Sequence, residues 1–289
     1  MCIEFRRFFS AYNRFSRGST LAWEITSSLR TAIRRLVAWS GPHDRPQKER
    51  DAARDLVDAA LLFHGWVMGS YLTGKAPSSP ELQEPSLQRE LLRKSLDAED
   101  EGPGSAADFL GEHAPRGITP YLALTALSLG AARRLPSFTD QELVALDESL
   151  DVLNCNLAQC EDLLRTPIPL GYTRSAIRFL WIWLSLLPFA LFRTFVDYGA
   201  LALPCAMLLV GFIFLSIEDI ATQIEEPFEI LPLDMHQKWL SRDVAQMKRL
   251  MEWSSGRDAA KTANGASTRQ PKSRHGAIGK KSGRHRDKR

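Results

Sequence analysis

Phe179–Phe192 reads FLWIWLSLLPFALF, and Tyr198–Ile217 reads YGALALPCAMLLVGFIFLSI. The second run is 20 residues without a formal charge. The first is 14, and Ala176, Ile177, Phe195 and Val196 lengthen it beyond Arg178 and Arg193. A helix of about 20 mainly apolar residues crosses a bilayer. Arg193 and Asp197 alone mark the break between the runs, which allows only an antiparallel hairpin. Trp181 and Trp183 lie toward one end, where indoles favour the interface. Pro188 and Pro204 are expected to interrupt the two helices, as a membrane bundle tolerates. Arg174 and Arg178 precede the first span and have the length to reach headgroups, so the positive-inside tendency puts the N-terminal body in the cytosol. The competing reading is a buried hairpin of a large soluble protein.

Bulk composition does not reveal the hairpin: 44% hydrophobic and 25% charged residues resemble a soluble protein. Charge is unevenly distributed. Residues 256–289 hold 11 Lys+Arg and 2 Asp+Glu, so the remaining 26 basic and 32 acidic side chains give the body a charge of −6 within a total of +3. The tail is poor in aromatics and rich in Gly, Ser, Lys and Arg, which predicts disorder. It can remain a solvated tail or touch anionic lipid; without interleaved aromatics it is not read as a nucleic-acid binder.

Outside the hairpin the pattern is helical. Residues 5–40 carry Phe5, Phe8, Phe9, Tyr12, Phe15, Ile25, Leu29, Ile33 and Leu36, several of them at i, i+3/i+4 steps. Leu56, Ala60, Phe63 and Val67 form a stripe within 50–72, while 74–118, with five prolines, reads as linker apart from a helix near 82–96. Thr119-Pro120 caps an apolar helix to about Arg134, too short to span. Thr139 and Glu142 form a capping box, with Phe138 and Leu143 as its staple. Leu143, Leu146, Leu150, Leu153, Leu157, Cys160 and Leu164 then form a coiled-coil-like seam, facing either its own bundle or a neighbouring subunit. The expected organisation is all-α: a cytosolic helical body over 1–165, a transmembrane hairpin over 166–217, cytosolic C-terminal helices over 218–255 and a disordered basic tail over 256–289.

No catalytic, metal or cofactor pattern stands out. Cys2, Cys155, Cys160 and Cys205 make no CxxC and are read as packing residues in a reducing compartment. No GxxxxGK[ST], GxGxxG or GxSxG occurs, and His64 in LLFHGW is read as a packed histidine rather than a base. An enzyme is not expected.

The order of motifs is distinctive. Gln159-Cys160-Glu161 followed by Thr166-Pro167-Ile168-Pro169-Leu170-Gly171-Tyr172 resembles the cysteine–glutamate and TPIPxxY signature of bestrophin-like proteins. Ile217–Phe228, IEDIATQIEEPF, resembles that family's IExIxxxIExPF motif through Glu218, Glu225, Pro227 and Phe228, and Leu231–Asp234 matches its LPLD element. Ala11–Gly18, AYNRFSRG, resembles AYxRFWEG through Tyr12, Arg14 and Phe15, with Ser16 and Arg17 replacing Trp and Glu. The resemblance implies a pentameric channel carrying chloride or other small ions, with four membrane helices per subunit. It makes Ile168 the candidate aperture residue and Phe5 the candidate last residue of a hydrophobic neck, since apolar rings gate by dewetting. The family places one span and most of a second before AYxRF, where this sequence has ten residues. Only Glu229 and Ile230 separate PF from LPLD. Glu225, Glu226, Glu229 and Asp234 could give some of the roughly 6–8 oxygens calcium takes, but calcium gating is not expected. The leading expectation is therefore a chloride- or anion-conducting homo-oligomer in a lipid bilayer, multi-pass, with both termini cytosolic. The alternative is a non-conducting membrane-anchored protein lacking the first two family helices.

Overall fold

In the computed structural model, residues 2–41, 45–74, 84–98, 104–114, 117–166, 168–199 and 201–267 are described, and every regular element among them is helical. Helix α1, Cys2–Ser40, is the spine. At 1.5 Å per residue its 39 residues extend about 58 Å. Leu21, Ile25, Leu29, Ile33 and Leu36 fall on one face and are at most 5% exposed. That face receives α6 (Asp140–Arg165) most extensively, then α10 (Leu233–Ser267) and α2 (Gln47–Trp66). Helix α2 runs on into a π-helical turn, Val67–Tyr71. Helices α3 (Glu84–Leu96), α4 (Ala106–His113) and α5 (Pro120–Arg134) close the body on the far side of α2.

Local chemistry explains the helix starts. Thr119 Oγ accepts from the Leu122 amide at 3.3 Å, with Pro120 opening α5. Thr139 Oγ accepts from the Glu142 amide at 3.3 Å, and the Glu142 carboxylate accepts from the Thr139 amide at 2.8 Å. Both arms of the expected capping box are present. Arg45 reinforces it by donating to both Glu142 oxygens at 2.9 and 3.1 Å while lying 4.0 Å over the Phe138 ring.

The α6 seam faces α1 of its own chain, which decides between the two readings of that helix. Leu146, Leu150, Leu153, Leu157 and Cys160 are buried, but Leu163 rather than Leu164 continues the stripe. Other expectations need correction. The 74–118 segment contains α4, capped by Ser105, whose Oγ accepts from the Asp108 amide. Helix α10 continues to Ser267, so the tail expected from 256 begins with helix; residues 268–289 lie outside those described. Cys155 and Cys205 are exposed and do not act as core packing, whereas Cys160 is fully buried and its thiol is pushed up to about 12 by that burial.

The hairpin consists of α7 (Leu170–Phe195) and α8 (Ala202–Gln223), joined by a 3-10 turn Val196–Tyr198 and Gly199 at φ 98°. Neither helix is interrupted by proline. Pro188 lies within continuous α7. Pro204 falls in the first turn of α8, where the missing amide would have had no helical partner. Trp183 meets Phe214 edge-on at 5.2 Å between the two helices. Their outer faces are bare: Phe189 is 80% exposed, and Leu208 and Phe212 74% each. A soluble core helix would bury these side chains; only 11% and 6% of the most apolar stretches of the two helices are buried. Such an apolar exterior suits lipid.

Candidate functional site

The motif residues converge where the hairpin meets the body, at the N-terminal third of α1. Positions 7, 11, 14 and 18 share one face of that helix. Arg7 is 1% exposed and ion-paired with Glu218 and Glu225, the latter at 3.4 Å. It also donates to Thr222 Oγ at 3.4 Å. Glu218, Thr222 and Glu225 are spaced i, i+4, i+7, which aligns all three along the C-terminal end of α8 and the turn after it. The cluster carries one guanidinium and two carboxylates. Burial of that kind is tolerated only where the charges are paired.

One helical step on, Ala11 is buried against the same corner. Arg14 then binds backbone: Nη1 donates to the Thr166 carbonyl at 2.7 Å, Nη2 to Leu163 at 2.6 Å and Nε to Glu225 at 3.4 Å. The first two carbonyls belong to the end of α6, where helical partners run out and a cation is favoured. A single planar fork thus ties α1 to the end of α6 and to the turn after α8. Gly18 completes the face. A Cβ there would lie 2.9 Å from Pro227 Cβ, so only glycine lets α1 approach helix α9, Pro227–Ile230, at this distance. Pro227 and Phe228 are buried beneath it.

Glu161 anchors the other side. It is 9% exposed, accepts from the Tyr71 hydroxyl at the end of the π turn and pairs with Arg165 at 3.2 Å. Burial, then the Glu161 carboxylate, push the Tyr71 phenol up to about 12. A cavity of about 240 Å³ opens between these elements, lined by Arg14, Tyr71, Leu163, Glu226, Phe228 and Glu229.

The remaining expected positions are dispersed. Tyr12 is 50% exposed and Phe15 half-buried. Ile168 is half-buried and Pro169 exposed in the turn between α6 and α7. Thr166 contributes its carbonyl to Arg14, and its hydroxyl turns back onto the Asp162 carbonyl. Asp234 is exposed and pairs with Lys238 at 3.3 Å. Pro167 and the side chains of Phe5 and Tyr172 lie outside the described residues. Arg7, Thr222 and Tyr71 went unmarked by sequence reasoning. The available signal was that Arg7 falls seven residues before Arg14, on the side of α1 that carries Ala11 and Gly18. Among the described residues no group of three His, Cys, Asp or Glu side chains converges as a metal site. The arrangement fixes one end of a membrane hairpin to a helical body.

A family model described as bacterial and fungal bestrophin protein matches residues 4–247, which include every element of this junction. The chain belongs to the bestrophin family. It is thereby a membrane protein. The voltage-dependent anion channel-forming protein of Nostoc sp. is 26% identical over 260 residues, 88% of this bestrophin and 76% of the Nostoc chain. The Arabidopsis thaliana protein named voltage-dependent chloride channel 1, chloroplastic, is 30% identical over 145 residues, half of this chain and 31% of its own. The fold agrees with a bacterial bestrophin homologue of Klebsiella pneumoniae, solved as a point variant, at TM-score 0.66 and 23% identity over 86% of this chain and 83% of that one.

Proposed function

We propose that this bestrophin is an anion-channel subunit, chloride being the physiological ion to test first. The observation that carries the reading is the family match across residues 4–247, with relatives named as anion and chloride channels. The junction supports it. Channel function needs the body and the membrane helices to hold one geometry, and the buried Arg7 and half-buried Arg14 supply multi-point links between them.

The two candidate spans among the described residues do not by themselves enclose a pathway, so conduction is read as the work of several copies around an axis. A pentamer is the assembly proposed. The body and both termini are placed in the cytosol, consistent with Arg174 and Arg178 at the start of α7. Under this reading Ile168 and Phe5 are the constriction candidates, each contributing one apolar ring per assembly. The proposal involves no catalytic step and no cofactor.

Purified protein reconstituted in liposomes tests it. Chloride efflux above protein-free liposomes is expected, from particles whose protein mass is five times the 32.5 kDa chain. Ile168→Ala is expected to raise the flux if that ring is the narrowest. Inserted protein with no flux would favour the second reading, a non-conducting membrane anchor.

A further inference from the structure

Away from the junction, three elements meet at one hydroxyl. Thr26 on α1 places Oγ 3.1 Å from His64 Nε2 on α2 and 3.1 Å from His236 Nδ1 on α10, with the Ala22 carbonyl 2.9 Å away. Thr26 and His64 are 0% exposed and His236 4%. The other nitrogen of His64, Nδ1, lies 2.5 Å from Gln237 Oε1, and the Gln237 amide nitrogen donates to the Leu61 carbonyl at 3.2 Å.

Proton placement follows from these partners. The Gln237 nitrogen is committed to a carbonyl, so Oε1 is the acceptor and His64 Nδ1 carries the hydrogen. A neutral His64 then presents Nε2 as an acceptor, which the Thr26 hydroxyl fills, and Thr26 Oγ in turn accepts the Nδ1–H of His236. The result is one directed chain from α10 through α1 to α2 and back to α10. A second proton on His64 turns Nε2 into a donor and forces the Thr26 hydroxyl round to the Ala22 carbonyl. It also creates a buried imidazolium, and among the described residues no opposite charge acts on it. The charges acting on His64 are His236 of α10 and Arg30 of α1, and Arg30 also acts on His236. Arg30 is itself held 2.9 Å from Asp243 of α10. Burial lowers His64 to about 4 and lowers His236 as well.

We propose that the Thr26-centred histidine pair is an acid-release latch, which pins α10 to α1 and α2 while both rings are neutral and frees α10 when the surrounding solution is acidified. Trp23 and Trp239 close the latch from outside. They stack at 5.2 Å, with His236 edge-on to them at 4.6 and 5.3 Å. Freed histidines regain an ordinary affinity for protons, so acid drives opening. The latch does not depend on conduction.

Hydrogen exchange on the full chain in detergent tests it, from about pH 7.5 to about pH 4.5, with rates corrected for the chemical effect of pH. Peptides over 233–250 are expected to lose protection below about pH 6.5, by up to about tenfold per pH unit for each histidine released, while 120–134 keeps theirs. The double variant His64→Gln/His236→Asn, which cannot take a proton at either site, is expected to hold α10 protection level. Unchanged α10 protection in the native protein, or loss at the same midpoint in the variant, overturns the proposal. Should the variant not fold, histidine ring NMR on the native chain decides: both rings titrating near 6.5 with α10 still protected contradicts the latch.

Discussion

Replacing Arg7 with methionine removes the cation paired with Glu218 and Glu225, and its effect should be large because all three groups are mostly buried. Breaking a buried pair from one side costs about 3–5 kcal/mol. Thermal unfolding in detergent should show a clear loss for Arg7→Met and partial recovery when Glu218→Gln and Glu225→Gln are added; equal instability of single and triple variants would contradict the pairing. His64 makes a second prediction. Its folded value near 4 lies below the free value of 6.5. Above about pH 6.5 the ring is neutral in both states and costs nothing. As pH falls toward 4 the unfolded chain takes a proton that the folded one refuses, so stability drops by roughly 3 kcal/mol. His64→Gln should flatten that slope in a denaturant titration. Sequence made the two positions visible to different degrees. Arg14, Glu218 and Glu225 stood in motifs. Arg7 did not, because an arginine beside aromatics at a membrane boundary looks like a headgroup contact until the facing carboxylates are located. His64 was read as packed, and it is, but its partners Thr26 and His236 are 38 and 172 residues away in sequence.

Among the elements, the hairpin and α6 were the most legible. Charge-free runs of spanning length and a complete capping box are local signals needing no knowledge of tertiary contacts. Helix α4 was not legible, since eight residues behind Pro103 and Gly104 carry too little periodicity to outweigh their breakers. The end of α10 was missed for a related reason: Gly256 and Gly265 and the basic composition read as tail, yet the helix carries on to Ser267. Thr139→Ala should cost about 1 kcal/mol of stability by removing one arm of the α6 cap, measured as a shift in the unfolding midpoint. In the hairpin, Phe189→Asp puts a charge where the large apolar side chains of α7 are most exposed. Such a residue costs about 3 kcal/mol at mid-membrane, so the carbonate-resistant fraction should fall relative to the native chain. A native chain released by carbonate would remove the membrane reading of α7 and α8.

At the scale of the whole molecule, the body is a set of helices laid along α1, and the hairpin leaves it at one end through the Arg7–Arg14 face. That placement gives the family's motifs a common purpose: AYxRFxxG on α1 and IExIxxxIExPF on α8 and α9 are two halves of one contact. Sequence supplied both halves, but their complementarity appeared only when Gly18 met Pro227 and Arg14 met the end of α6. In the proposed assembly, ion choice belongs to several copies together, so a single chain's sequence reaches it only through relatives. Everything proposed for this bestrophin turns on whether such an assembly conducts anions. Planar bilayers containing the purified protein under a potassium chloride gradient test it most directly. Single-channel currents that reverse near the chloride equilibrium potential are expected; currents reversing near that of potassium, or a silent bilayer despite inserted protein, would overturn the anion-channel reading.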